Sequence, residues 1–422
     1  MLAQFITVLA TTTALLPPGT AAANTAGPAK TDLTKIVSTD PVNHTPHVLD
    51  GIVNAFAIVG RTAIVGGSFS EVSEADGSEE FERSHLFAFD LVTGRVLPDF
   101  APDLDGPVYA LAAGADGTVY AGGTFSYVGH REVGGLAKFR LSDGAFDTRF
   151  APLVAGGGVS ALALRGSHLY VGGDFTHVGR SVRTAVARVD TTTGAADPRF
   201  TVTPAKPVKG KVRIYGMALS DRRLAVAGAF TTLDGLSRPQ LGLIDITGAQ
   251  AKVADWRTPT FAVACKADFP SYVRGVDFSS DGKYFVIVTT GGAGGPRKPC
   301  DAATRFETFA KGDRIQPTWM NHTGGDSLYS VAVTSAAIYV GGHQRWHNNP
   351  HGSDSAGAGA VKREGIAALH PRTGKALAWN PGRERGIGVK AFLPHRGGLL
   401  VGSDTTRLGR EYHARVGMFP LP

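Results

Sequence analysis

Leu169-Tyr170-Val171-Gly172-Gly173-Asp174-Phe175-Thr176-His177-Val178-Gly179 decides the architecture, because the chain writes it again and again. Variants occupy Val119 to Gly129, Ile64 to Val72 and Leu224 to Leu233, and a version with a changed ending runs from Ile338 to His343. The copies lie about 50 to 60 residues apart, a period of propellers and solenoids, in which a single unit cannot bury its own apolar face.

Outward from this stretch, one unit reads as four short antiparallel strands. Val159 to Leu164 alternates apolar and small or polar residues, as a half-buried strand does. A Gly166-Ser167 turn leads into Leu169 to Phe175, a variable loop follows, and Ala185 to Asp190 is the third strand. Thr193-Gly194 turns the chain into a fourth that ends at Asp197-Pro198-Arg199-Phe200, and Thr-Gly turns recur at Thr93-Gly94, Thr247-Gly248 and Thr373-Gly374. The template assigns seven units, at about 47–102, 105–152, 157–202, 211–258, 271–322, 326–381 and 386–422. The last unit stops before a fourth strand, whereas Asp40 to Val53 resembles the unit end at Gln316 to Tyr329, both carrying Asn-His-Thr, at Asn43 and at Asn321. The expectation is an all-β, seven-bladed β-propeller of four-stranded blades, residues 37–422, closed by an N-terminal strand that completes the last blade. Glycine pairs without Cβ atoms let neighbouring blades approach, and Phe175-type residues fill the space between them.

The string Tyr-Val-Gly-Gly-x-Phe-x-x-Val-Gly, followed by Thr-Gly-x-x-Asp-Pro-x-Phe, resembles the secreted bacterial β-propellers of the delta-60 repeat type. The match is closest at 105–152 and 157–202 and poorest at 271–322, where Tyr284 to Thr290 replaces the glycine pair. Kelch repeats share the double glycine and offer a weaker resemblance. The resemblance implies fold and export, and no catalytic residue comes with it.

Fifty-five glycines in 422 residues, about twice the usual share, suit many short strands. A formal charge of +7 with scattered Lys and Arg reads as a solvated surface and not as a nucleic-acid site. The uncharged apolar run Leu2 to Leu16, followed by Ala21-Ala22-Ala23, reads as a signal peptide cleaved near Ala23, although no Lys or Arg precedes it. Residues 24–36 then read as a flexible leader. In an exported chain, Cys265 and Cys300 read as one disulfide closing a loop of roughly 36 residues. No later segment reads as a membrane span, and neither a metal nor a cofactor is expected.

Alternating strand direction puts every insertion on one face. The richest is His343-Gln344-Arg345-Trp346-His347-Asn348-Asn349-Pro350-His351 within a loop running to Glu364. An indole, imidazoles and amides suit stacking on a sugar ring and bonding to its hydroxyls. The expected ligand site is therefore His343, Arg345, Trp346, His347, Asn348 and Asn349, with Asp404, Arg410, Glu411 and His413 nearby. The acidic run Glu71 to Glu80 lacks an EF-hand pattern, and Gly291 to Gly295 lacks the Lys of a phosphate-binding loop. The expectation is a secreted monomeric binding module for a carbohydrate or cell-envelope ligand. Two alternatives stay open: a polysaccharide hydrolase or lyase using His343 or His347 with Asp404 or Glu411, and a scaffold without ligand.

Overall fold

Val159–Arg165 pairs antiparallel with His168–Gly173, which pairs in turn with Val186–Asp190, so the unit around the glycine pair forms the sheet that its alternation predicts. The computed structural model describes residues 30–266 and 270–422. The expected signal peptide at 1–23 lies outside the described residues. Among the described residues there is no helix, and none therefore is long and apolar enough to cross a membrane. Seven of the antiparallel sheets there, each of three or four strands, follow one another, with innermost strands Ile52–Val59, Val108–Ala113, Val159–Arg165, Ile214–Leu219, Val273–Phe278, Leu328–Val333 and Ala391–His395.

Each innermost strand packs against that of the next sheet, and Ala391–His395 packs against Ile52–Val59 of the first. One cavity of about 850 Å³ is lined from all seven, by Phe56, Leu111, Leu162, Met217, Val276, Val331 and Leu393 among others. The first glycine of each pair permits the sheet contact: a Cβ on Gly172 would stand 2.9 Å from Ile214 Cγ2, in the next sheet's innermost strand. At Gly402 of the seventh sheet the neighbour is Val53 of the first, 2.6 Å from such a Cβ. Phe175 is fully buried in the cluster of Val159, Leu169, Val171 and Val189, a burial that contributes about 1.5–3 kcal/mol for a side chain of this size.

The outer strand departs from expectation. Lys252–Val253 and Trp319–His322 are fourth strands of their sheets, but in the first, second, third and sixth sheets single bridges replace them, as between Val189 and Ala196. The local chemistry explains this. Asp190 Oδ1 accepts hydrogen bonds from the backbone N–H of Thr192 and Thr193, tightening the turn, and Pro198, which has no N–H to donate, soon follows. The loops between second and third strands are correspondingly more regular than expected, forming small hairpins such as His177–Val178 with Ser181–Val182. After that hairpin Arg183 donates to the carbonyls of Val182 and Asp197, and Arg83, Arg238 and Arg363 do the same in their units.

Beside the seventh sheet, Ser38 N and Val42 N donate to the carbonyls of Pro420 and Met418 at 2.8 and 2.9 Å. The N-terminal segment thus runs along the last strand, although it is not a regular strand over these residues. Part of the expected flexible leader is packed: Leu33 is buried with Val37 among Tyr339, Trp379 and Phe419, and Asp32 Oδ1 accepts from Ser335 N at 2.7 Å. Cys265 and Cys300 form the expected disulfide.

Candidate functional site

In three sheets the residue after the glycine pair, or after its counterpart, uses its side chain to hold the connection entering the innermost strand. In the third sheet Asp174 Oδ1 accepts from Gly158 N at 2.8 Å and so holds the connection that enters the innermost strand; its other oxygen pairs with Arg213. The position falls on Asp404 in the seventh sheet, where the carboxylate accepts from Ile387 N at 2.5 Å, Gly388 N at 2.9 Å and Arg383 Nη2 at 3.0 Å. In the sixth it falls on His343, whose Nε2 accepts from Ser327 N at 3.1 Å. Nδ1 therefore carries the ring proton and donates to Tyr329 Oη, 3.2 Å away, leaving that hydroxyl's own proton to point elsewhere. Burial lowers the pKa of His343, which favours this neutral form.

Much of the expected ligand loop instead holds itself together. His347 is fully buried, its Nδ1 2.9 Å from Asn321 Oδ1, and burial drives its pKa down to about 3. Asn348 Oδ1 accepts from Asn321 Nδ2 at 2.6 Å and Ala376 N at 3.1 Å. Asn349, also buried, donates to the carbonyls of Thr323 and Ser355 and accepts from Gly357 N. The side chains of His347 and Asn349 are both completely buried, His347 with its Nε2 unpartnered, so neither is exposed for direct contact with a ligand. Arg345 makes a bidentate pair with Asp326 at 2.9 and 3.0 Å, and its guanidinium carbon lies 4.4 Å from the centroid of the half-buried Trp346 ring. Arg385 joins the same Asp326 at 2.7 Å.

The residues from the seventh unit divide. Arg410 lines a groove of about 520 Å³ with Lys362, Glu364, Glu384 and Arg407. Glu411 is exposed on the hairpin Arg407–Leu408 with Glu411–Tyr412, 3.6 Å from His413. His413 itself is buried and takes the place that Arg183 has after its hairpin. Neither Asp404 nor Glu411 hydrogen bonds to His343 or His347, so the four do not form an acid and base pair here.

A second set of residues, not singled out from sequence, meets at the same end of the sheets. Six innermost strands carry a β-bulge one residue in, opposite the glycine pair or its counterpart, as at Val159 and Ala161 against Gly173 and Gly172. The bulged residues are Asn54, Tyr109, Ser160, Tyr215, Arg274 and Tyr329, and Lys390 has the matching place in the seventh unit. A bulge re-aims the side chain that it carries, and several of these reach across to a neighbouring sheet, the following one for Asn54 and Ser160 and the preceding one for Arg274 and Lys390. Asn54 Nδ2 donates to Val108 O, and Ser160 Oγ donates to Ile214 O. The Arg274 guanidinium carbon lies 4.3 Å from the ring centroid of Tyr215 and 5.2 Å from that of Tyr272. Lys390 Nζ lies 3.4 Å from the ring centroid of Tyr329, the tyrosine bonded to His343. Burial, with Arg274 second, pulls Lys390 down to a pKa of about 8. Aligning the seven units on their innermost strands puts these residues in one column, which is the signal that could have found them.

The model of the family described as "Domain of unknown function (DUF5122) beta-propeller" matches residues 114–150 and 168–200, in the second and third sheets. The match supports a β-propeller. It falls on the two units whose repeat motif is best formed. No curated protein matches the chain. Among solved structures, the crystal structure of the computationally designed Ika8 protein is 13% identical, covering 92% of this chain and 99% of that one, with a TM-score of 0.44.

Proposed function

We propose that this chain is a secreted, monomeric, seven-bladed β-propeller of the delta-60 repeat type that binds a carbohydrate or cell-envelope ligand on the face bearing the 343–364 loop. The propeller spans 37–422 in this reading, its ring closed where the N-terminal segment runs beside Val416–Pro420 and where the first and last innermost strands meet. The disulfide and the lack, among the described residues, of a helix able to cross a membrane are compatible with export.

The observation that carries the binding reading is the convergence of aromatic rings and donors at one end of the sheets. Tyr109, Tyr215 and Tyr329 come from the bulges, His343 bonds to Tyr329, and Trp346 follows three residues later on the same loop. Tyrosine and tryptophan present an apolar face and a polar edge together, which is what a sugar ring requires. The test is a glycan array probed with the secreted protein and with its Trp346→Ala variant. Retention on a defined glycan set, weakened at least tenfold by Trp346→Ala, is expected; equal retention of the two proteins on every glycan would remove the loop from the site.

A further inference from the structure

We propose that the mouth formed by the bulged residues is an anion site, taking the carboxylate of an acidic sugar between Lys390 and Arg274 while the sugar ring lies against the neighbouring tyrosines. The inference deepens the reading of this face as a glycan-binding surface and rests on it.

Among the described residues, the acids around this end of the sheets are already engaged. Asp174 is held by Arg213, Asp326 by both Arg345 and Arg385, and Asp404 by Arg383 and two backbone N–H groups. Asp301 is fully buried, and burial raises its pKa to about 6. Among the described residues neither Arg274 nor Lys390 has a carboxylate partner, and Arg274 Nε is buried without any partner. Their innermost strands pack on either side of Leu328–Val333, and after burial Arg274 is the next cause lowering the Lys390 pKa. Two like charges held together over tyrosine faces, both half-buried, are costly unless an anion joins them, and a bound anion gains charge-assisted hydrogen bonds from both.

The chemistry of the surroundings selects the anion. A guanidinium is a planar fork that matches a planar carboxylate in bidentate fashion. Tyr215, Tyr272 and Tyr329 surround the cations with flat apolar faces, and these suit the ring that carries the carboxylate more than an isolated oxyanion. The Tyr329 hydroxyl, which accepts from His343, has its proton left to give to a sugar oxygen.

The experiment is isothermal titration of the whole secreted protein with trigalacturonate, with a glucuronate-containing hexasaccharide, with a neutral galactose trimer and with inorganic phosphate. One of the two acidic oligosaccharides is expected to bind at least tenfold more tightly than the neutral trimer and than phosphate. Lys390→Gln and Arg274→Gln should each weaken it tenfold or more, with circular dichroism and melting temperature near those of the parent. Arg140→Ala, at the turn of the second unit where it pairs with Asp143, should leave it unchanged. Acidic and neutral oligomers bound alike, or an acidic ligand indifferent to a folded Lys390→Gln protein, would overturn the inference. Phosphate bound in preference to both uronates would overturn the sugar-acid assignment. If the array glycans still depend on Trp346 in either case, the inference fails alone; if no glycan is retained at all, the reading beneath it fails as well.

Discussion

Gln344 stands where Phe69, Phe125, Phe175 and Phe230 stand in other units, its carbonyl accepting from Gly365 N as that of Phe175 accepts from Ala185 N. Its side chain is completely buried, and both amide atoms lack a partner in the protein. A buried polar atom left unmatched costs about 1–3 kcal/mol, so Gln344→Leu should raise stability by an amount of that order, read as a higher urea midpoint at unchanged slope. A lower midpoint would mean that the amide is matched in solution. The irregular end of this unit was plain in the sequence, where His343-Gln344 breaks the glycine-glycine-x-phenylalanine pattern. Its consequence was not, because a loop rich in His, Asn and Trp looks the same whether it faces a ligand or closes on itself. His347 and Asn349 are internal because Asn321 and Thr323, in the preceding sheet, supply their partners. Lys390 and Arg274 were hidden for a related reason: each is an ordinary cation in its own unit, and only the bulge register aims both at tyrosines of neighbouring sheets.

At the scale of elements, the sheets follow from the glycine pairs and the alternating strand before them, since both partners of those contacts sit within one period of the repeat. The N-terminal segment did not follow so directly. Its Ala, Thr, Gly, Pro and Lys content predicts a mobile leader, and Leu33-Thr34-Lys35-Ile36-Val37 is too brief to show a period. What fixes it is remote in sequence: Val37 N donates to Tyr339 Oη at 3.1 Å, Ala336 N donates to Leu33 O at 3.0 Å, and Trp379 Nε1 donates to Ser38 O at 2.9 Å. Leu33 is only 2% exposed, so Leu33→Ala should cost about 2–5 kcal/mol, the range for emptying a packed leucine site. Chemical denaturation of the protein measures it. A cost below about 0.5 kcal/mol, typical of a surface change, would mean that the segment is held loosely and does not fasten the sheets to which it is bonded.

For the whole molecule, stacking sheet on sheet buries groups that a smaller fold would leave in water, and histidine records this. His47, His322, His347, His395 and His413 are all buried, and burial lowers the pKa of each, to about 3 at His347 and about 4 at His395. In the unfolded chain they titrate near 6.5. As pH falls below that value the unfolded state takes up protons that the folded state refuses, so stability is lost on acidification from about pH 6.5 towards pH 4. Asp301 works in the opposite direction: with its pKa raised to about 6 the folded protein binds its proton first, which adds stability as pH falls from about 6 to 4. One carboxyl opposes these five imidazoles and the likewise lowered His85, His168 and His343, so the net expectation is a falling urea midpoint across this window. His347→Gln tests the largest single contribution, because glutamine can still donate to Asn321 Oδ1 but does not titrate. The variant should be less stable than the parent at pH 7 yet lose less between pH 6.5 and pH 4. Parallel curves for the two proteins would mean that water reaches His347 and that the sixth sheet is not closed over it.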